Sequence, residues 1–206
     1  MLDEVLNLGG DDDKTVVLLG EGDFSFANAL TKRLRDKGFD ARRLIASTIE
    51  ARSDCTRYAR NIMELENAGV RLDFKVDATA TFPLAKYVAD GAILFIWNFP
   101  SEWIHTHGRQ RENRLMMYKF LNNLSTVVSD VNVGASARAW ITLYGHQWRG
   151  WNLDPSQWIK MKPSKSLKFT KSKSFSDHAA HYPGYNPNFK AKHARDRSKT
   201  TYEFLI

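Results

Sequence analysis

Residues 15–26 read TVVLLGEGDFSF, an aliphatic run followed at once by two glycines, two acids and the start of a predicted helix. The run has the length and β-branched content of a buried strand. Glycines directly after a strand allow backbone conformations closed to other residues and let a ligand approach the main chain. This stretch therefore predicts a strand–loop–helix unit whose loop can bind a small molecule.

Strands and helices alternate from this unit to residue 144, which indicates βα units and a parallel sheet with helices on both faces. Ser25 and Ser53 are the expected N-caps of the first two helices, and Gly38 and Gly69 their expected stops. The remaining patterns predict strands at 43–49, 71–76, 92–97, 138–144, 167–175 and 200–205, and helices at 25–37, 53–67, 82–89, 113–128 and 155–160.

The length and composition fit one α/β domain. The chain has 206 residues, of which 43% are hydrophobic, and a domain takes roughly 150 residues. We expect an acidic extension at 1–14 and a domain at 15–206, with a long functional or mobile loop at 176–198. No apolar run reaches the ~20 residues of a membrane helix, so no membrane partner is expected. The single cysteine, Cys55, excludes a disulfide framework and a cysteine-based zinc site, and no metal is expected.

The positive charge is concentrated in the last quarter of the chain. Residues 159–206 carry 11 Lys/Arg against three Asp/Glu, whereas residues 1–158 are almost neutral. A focused basic region favours a partner that bears phosphates. A solubilising tail is the alternative explanation.

The loop at residues 20–24 favours a cationic ligand. It lacks the Lys-Ser/Thr of a P-loop and the third glycine of the dinucleotide fingerprint. Glu21 and Asp23 would repel a pyrophosphate but can accept hydrogen bonds from an ammonium group or from hydroxyls. This chemistry favours S-adenosylmethionine over NAD or ATP, with an ordinary strand-to-helix turn as the alternative.

Polar residues also follow the next three predicted strands. Glu50 can bind ribose hydroxyls and Asp77 an adenine amino group, although an exposed acid and an N-cap are the simpler interpretations. In the sequence NFP, the rigid Pro100 can help to hold the polar side chain of Asn98 against a planar base, although a plain turn is the alternative. The carboxyl ends of parallel strands meet at one edge, so we expect these residues to lie close together.

Together these pieces resemble the ribosomal RNA uridine-N3-methyltransferase-like domain family, class I S-adenosylmethionine-dependent enzymes with a Rossmann-like fold. The similarity runs from about residue 15 to 205, and GEGDFSF and YPGY are its most specific motifs. The matching pieces are LLGEGDFSFANAL (18–30), LIASTIEARSD (44–54), the spacing of Asn61, Leu65 and Gly69, VDAT (76–79), NFP (98–100), ENRLMMYKFL (112–121), WITLYG (140–145), WNL (151–153) and YPGYN (182–186).

The resemblance implies a strand order of 3-2-1-4-5-7-6 with the last strand antiparallel. It also implies that Glu50 binds the ribose of the cofactor and Asp77 its adenine, and that Asn98 and Pro100 face the substrate base as catalytic residues. The residues implied around the methionine part of the cofactor are Gly20, Glu21, Gly22, Asp23 and Phe24.

RNA contacts are expected from basic and aromatic side chains, because basic groups hold phosphates and rings stack on bases. The expected RNA-binding residues are Arg109, Arg111, Arg114, Trp148, Lys165, Lys168, Lys171, Lys173, Tyr182 and Tyr185. Trp151 belongs to the same aromatic cluster, for which core packing is the alternative. Methylating N3 of uridine also needs a proton acceptor, for which the candidates are His105, His107, His146 and Tyr182.

The implied function is S-adenosylmethionine-dependent methylation of a uridine at N3 in ribosomal RNA. The implied partners are ribosomal RNA or a pre-ribosomal particle, with ribosome-assembly proteins as further partners. Nucleolar, cytoplasmic and mitochondrial locations all stay open. Two departures from the family pattern support an alternative, an inactive RNA-binding scaffold in ribosome assembly. Ser101 stands where the family usually has His after NFP, and residues 144–148 replace a Lys-containing segment.

Overall fold

The fold is a seven-stranded α/β sheet in the order β3-β2-β1-β4-β5-β7-β6. The computed structural model describes residues 14–98, 100, 110–131, 137–144, 168–174 and 199–206. The strands are β1 (Thr15–Leu19), β2 (Leu44–Ser47), β3 (Arg71–Asp73), β4 (Ala92–Asn98), β5 (Arg138–Tyr144), β6 (Lys168–Ser174) and β7 (Lys199–Leu205). The helices are α1 (Ser25–Arg35), α2 (Ala59–Asn67), α3 (Thr81–Ala89) and α4 (Gln110–Val131).

Strands β1 to β5 pair in parallel, and β7 runs antiparallel to both β5 and β6. The strand order and the antiparallel last strand confirm the prediction. The acidic extension, the short helix at 155–160 and the loop at 176–198 lie outside the described residues.

The two faces of the sheet have separate cores, because successive side chains of a strand point to opposite faces. On one face Val16, Leu18 and Ile96 pack with residues of α1 and α2. On the other face Phe95 and Ile141 pack with residues of α3 and α4. The interior residues of β1 and β4 are therefore apolar on both faces, and the polar residues Thr15 and Asn98 stand at the start of β1 and the end of β4.

Both predicted serine caps are wrong. α1 begins at Ser25 with Phe24 as its N-cap, and the Asp23 carboxylate accepts the Ser25 N–H at 2.9 Å. Ser53 instead bonds the Asp54 carboxylate at 3.1 Å. The predicted helix at 53–67 is divided into a 3₁₀ segment, Arg52–Tyr58, in which Cys55 is buried, and α2.

The third strand ends three residues earlier than predicted, at Asp73. Lys75 has a φ of 58°, which takes the chain out of the extended conformation. Its N–H donates to the carbonyl of Glu50 at 3.1 Å, and the N–H of Val76 donates to that of Thr48 at 2.9 Å. Residues 74–77 thus form a loop whose backbone is hydrogen-bonded to the loop after β2.

No helix in the described part of the chain combines the length and the hydrophobicity of a membrane span.

Candidate functional site

Four loops line the carboxyl edge of the sheet, and they contain the polar residues predicted from the sequence. β1, β2, β3 and β4 are adjacent and parallel, so the segments that follow them lie along one edge. These segments are residues 20–24, 48–50 and 74–77, together with Asn98 and Pro100. Ligands of doubly wound sheets bind at this edge, where the order of the strands reverses. Here the order reverses between β1 and β4.

The two glycines of the first loop differ in what surrounds them. Gly20 has a φ of +64°, and a Cβ built on it would lie 2.6 Å from Nε1 of Trp97. Gly20 is therefore required by the fold itself. A Cβ on Gly22 would meet nothing within 4 Å, and its φ is not in the left-handed region. The space beside Gly22 is open, as a site for a close ligand requires.

Glu21, the residue before Gly22, has a buried carboxyl. Its Oε2 accepts the N–H of Ala27 at 3.0 Å, in the first turn of α1, and its own N–H donates to the carbonyl of Ser47 at 2.8 Å. Burial raises the pKa of Glu21 to about 8; the Ala27 N–H opposes this shift and the charge of Asp23 adds to it. The carboxyl is protonated at neutral pH and can ionise when a cation binds.

Asn61 of α2 fixes the shape of the first loop. Its Nδ2 donates to the carbonyl of Asp23 at 2.8 Å, and its Oδ1 accepts from Nδ2 of Asn28 at 3.1 Å. Phe24 has a φ of 59°, and its ring is fully buried at 5.9 Å from that of Phe74. Phe24 can therefore reach a ligand only through its main chain.

Glu50 follows β2 with a carboxylate that is about one-third exposed and has two neighbours. Nη2 of Arg57 lies 3.6 Å from Oε1, and the buried thiol of Cys55 donates to Oε2 at 3.5 Å. These contacts hold the group at the edge without removing it from solvent. It can accept ribose hydroxyls there.

Asp77 uses one of its two oxygens inside the protein. Oδ1 accepts both the N–H of Thr79, at 2.8 Å, and its hydroxyl, at 2.7 Å. The side chain is exposed, and among the described residues Oδ2 has no hydrogen-bond partner. The N-cap considered from the sequence is wrong, since Ala80 is the N-cap of α3. Asp77 instead closes a turn onto Thr79, and one acceptor stays free for a ligand.

Ile49 is a site residue that the sequence interpretation missed. It lies between Thr48 and Glu50 at the same edge, and its side chain is 69% exposed. An exposed aliphatic group between two polar loops can pack against a flat apolar surface such as an adenine ring. In the sequence, Ile49 falls inside the predicted strand at 43–49, where an aliphatic residue is expected to be buried. In the structure β2 ends at Ser47.

Asn98 ends β4 with a carboxamide that is buried but makes no hydrogen bond. Within the described residues its Oδ1 and Nδ2 have no partner, and the same holds for Oγ of Ser25 and Nε1 of Trp140. A buried polar group without a partner costs about 1–3 kcal/mol. Pro100 is also buried, two residues further on.

The structure places few of the predicted RNA-binding residues. Lys168 is exposed on the edge strand β6, and Arg114 is half-buried on α4. Arg111 lies on α4, and Lys171 and Lys173 on β6. The others lie outside the described residues, as do the candidate proton acceptors: Arg109, Trp148, Lys165, Tyr182, Tyr185, Trp151, His105, His107 and His146.

The edge suits S-adenosylmethionine in its chemistry. The open space at Gly22 and the ionisable Glu21 suit the methionine part with its ammonium group. The partly exposed carboxylate of Glu50 suits ribose, and the free Oδ2 of Asp77 suits adenine. Among the described residues no cluster of three His, Cys, Asp or Glu side chains could hold a metal ion.

Solved structures with the same fold include an antibiotic-related methyltransferase, 14% identical with a TM-score of 0.55. That match covers 100% of this chain and 94% of the other. Another is SMU.776, assigned as a methyltransferase and crystallised with SAH, which is 12% identical with a TM-score of 0.50. This chain is covered in full by that match but spans only 48% of SMU.776. At these identities the similarity establishes the Rossmann-like methyltransferase fold. A comparison with curated proteins finds no match.

The profile of one protein family matches residues 17–188, most of the chain and all four loops of the site. Its description is BMT5-like, rRNA (uridine-N3-)-methyltransferase BTM5-like. The match agrees with the sequence resemblance and with the fold. The chain is an S-adenosylmethionine-dependent RNA methyltransferase-like protein, and it belongs to the BMT5-like rRNA (uridine-N3-)-methyltransferase family.

Proposed function

We propose that this chain is an active enzyme that methylates N3 of a uridine in ribosomal RNA. The observation that supports this most is the buried, unpartnered carboxamide of Asn98 at the carboxyl end of β4. An enzyme can direct such a group at a substrate base. Family membership supports ribosomal RNA as the substrate. Contacts with ribosome-assembly proteins are part of the same proposal.

The residues of the first three loops would hold the cofactor. Gly22 leaves room for the methionine part, and Glu21 accepts a hydrogen bond from its ammonium group. The backbone of Asp23, in the same loop, is held in place by a hydrogen bond from Asn61. Glu50 accepts from the ribose hydroxyls, and Oδ2 of Asp77 from the adenine amino group. When bound, S-adenosylmethionine supplies the methyl group, its S–C bond breaking to leave a neutral thioether as the N3–C bond forms.

Asn98 and Pro100 would position the base. The buried carboxamide holds the uracil edge in the plane that methyl transfer needs, and positioning of this kind supplies much of the rate. The N3 proton must leave as well, and the candidates for its acceptor are His105, His107, His146 and Tyr182. The experiment that tests the proposal is transfer of a labelled methyl group to uridine-containing ribosomal RNA, with the product nucleoside identified by mass spectrometry.

Replacing Asp77 with asparagine is expected to weaken binding of S-adenosylmethionine by about 1–3 kcal/mol, the cost of an unpaired polar contact. Asparagine keeps an Oδ1 that accepts from Thr79, so the turn survives, but it replaces the free Oδ2 with a donor. Asp77→Ala would also break the turn and is less informative. Calorimetry measures the change, and equal affinity in Asp77→Asn would remove Asp77 from the adenine role.

Binding of S-adenosylmethionine at pH 7 is expected to release roughly one proton from Glu21. The pKa of this carboxyl is about 8, so the free protein holds the proton, and a neighbouring ammonium group favours the ionised form. Affinity should therefore rise as the pH increases toward 8. Calorimetry in two buffers of different ionisation enthalpy measures the proton. Glu21→Gln keeps an acceptor for Ala27 but cannot ionise, and unchanged proton release in this variant would contradict the assignment.

RNA binding is expected to depend steeply on salt because of the basic C-terminal quarter. Replacing Lys165, Lys168, Lys171 and Lys173 with glutamate should flatten the slope of log affinity against log salt. A control reverses two lysines, Lys37 and Lys86, which are exposed at the opposite, amino edge of the sheet. Fluorescence anisotropy with labelled RNA gives both slopes. If the control flattens the slope as much, the four lysines are not the RNA contacts.

A further inference from the structure

Lys75, in the loop after β3, has a backbone conformation that the packing of its side chain does not explain. Its φ of 58° is left-handed, and Phe24 is the only other non-glycine residue of the described segments with a positive φ. This conformation is unfavourable for residues with a Cβ, whereas glycine adopts it readily. The ring of Phe24 is buried in the core, but the side chain of Lys75 is exposed. A strained residue at the edge of a binding site, with no core packing to offset the strain, is typical of a side chain with a function.

The ammonium group of Lys75 is available to bind an anion. Among the described residues it has no acidic partner. The arginines of the adjoining segments are all paired: Arg52 with Glu66 at 2.7 Å, Arg57 with Glu50 at 3.6 Å and Arg71 with Asp73 at 2.8 Å. Lys75 is therefore the one cation within residues 48–58 and 71–77 whose charge no neighbouring acid neutralises.

Phe82, in the first turn of α3, has a side chain that is 80% exposed. The buried residues of α3 are Leu84, Tyr87 and Val88, so the core does not use this ring. Single exposed apolar side chains are common on proteins, and exposure alone assigns no role to Phe82. A ring close to an unpaired cation, however, is the combination that binds single-stranded nucleic acid. The ring stacks on a base and the cation contacts the backbone.

A closed turn holds these two side chains at the same edge. The N–H of Ala80 donates to the carbonyl of Asp77 at 3.0 Å, which closes a turn over residues 77–80. Lys75 precedes this turn by two residues, and Phe82 follows it by two. Nδ2 of Asn123, on α4, donates to a carbonyl of the turn at 2.6 Å and so fixes the turn to the helix. Lys75 and Phe82 therefore flank one fixed turn at the carboxyl edge of the sheet.

We propose that Lys75 and Phe82 bind the RNA strand beside the methylated uridine, Lys75 at a phosphate and Phe82 at the base of a flanking nucleotide. This deepens the proposed function and rests on RNA as its substrate. β3 lies three strands away from β4, so the ends of these two strands are about 14 Å apart. The nucleotide bound there is thus a neighbour of the target and not the target itself. An RNA strand that spans both places crosses the proposed adenosine site.

The first test measures RNA affinity against salt concentration for Lys75→Gly, in the full chain saturated with SAH. Glycine adopts the same φ without strain, so this variant should be at least as stable as wild type while it lacks the ammonium group. The probe is a fluorescent oligoadenylate that contains one uridine. The slope of log affinity against log salt should fall by about 0.7, the value for one phosphate of a single strand. Lys75→Arg should keep the wild-type slope, as should Lys37→Gln, which removes an exposed lysine at the amino edge.

The second test measures the affinity of Phe82→Ala for the same RNA. Binding should weaken about 5- to 100-fold, the range for one stacked base, with the salt slope unchanged. Phe82→Trp should keep the wild-type affinity, because stacking requires only a ring. The control is Met63→Ala on α2, which truncates an apolar side chain that is 55% exposed and should leave the affinity unchanged.

An unchanged slope in Lys75→Gly or an unchanged affinity in Phe82→Ala would overturn the proposal, and so would a wild-type chain that does not bind this RNA. Methyl transfer by the wild type separates this failure from that of the proposed function. If the wild type methylates RNA and both variants bind RNA as it does, the RNA surface is wrong and the enzyme stands. If the wild type transfers no methyl group but the variants bind RNA as expected here, the RNA surface stands and the proposed function is wrong.

Discussion

Asn98→Leu is expected to abolish methyl transfer and, at the same time, to stabilise the folded chain. Leucine has a similar volume but no polar atoms, so it removes two buried groups that have no partner among the described residues. The gain should be about 1–3 kcal/mol in the free energy of unfolding, the cost of leaving such groups unpaired. A residue that weakens the fold but is needed for activity is typical of a functional site.

The measurements are denaturant unfolding and methyl transfer, with cofactor affinity as a third. Thr142→Val is the control, since Thr142 faces Asn98 across the β4–β5 pair but is bonded to Thr201. It should lose about 1 kcal/mol of stability and retain methyl transfer. If Asn98→Leu is less stable than wild type and still active, Asn98 is a structural residue and the assignment of the active site is wrong.

Alanine at the two glycines of the first loop is expected to have opposite effects. Gly20→Ala should destabilise the fold by about 1–3 kcal/mol, because Gly20 has a positive φ and a new Cβ would lie 2.6 Å from the indole of Trp97. Gly22→Ala should leave the stability unchanged, because its Cβ would enter open space. The same methyl group would occupy the space proposed for the cofactor. Affinity for S-adenosylmethionine should therefore fall about tenfold or more, a loss of about 1.4 kcal/mol.

Thermal unfolding and calorimetry on the two variants separate these effects. Gly22→Ala is its own control for folding, since any general damage would appear as a lower Tm. An unchanged affinity in Gly22→Ala would show that the cofactor does not approach the first loop there. An unchanged Tm in Gly20→Ala would show that the Trp97 contact can relax.

The sheet could be predicted from the sequence because its signals are local. The apolar runs at β1 and β4, each followed by turn or polar residues, define strands with buried faces, and alternation with helices defines a parallel sheet. The acids at strand ends could be placed at one edge for the same reason. The order of the last strands came from the family resemblance, because no local pattern specifies an antiparallel β7.

The details of the site depend on contacts that are distant in sequence. Phe24 rather than Ser25 is the N-cap of α1; it has a left-handed φ, and its buried ring packs on Phe74, which is distant in sequence. Whether Gly20 or Gly22 leaves room for a ligand depends on Trp97, which comes from another strand.

The most direct test of the account is the modification map of ribosomal RNA from cells that lack the chain, carry the wild type or carry Asn98→Ala. N3-methyluridine is identified by nucleoside mass spectrometry and mapped by position. We expect one uridine to be methylated with the wild type and unmethylated in the other two, with cofactor binding by purified Asn98→Ala nearly unchanged. If no uridine differs among the three while ribosome assembly fails without the chain, the protein is a scaffold and the enzyme assignment is contradicted.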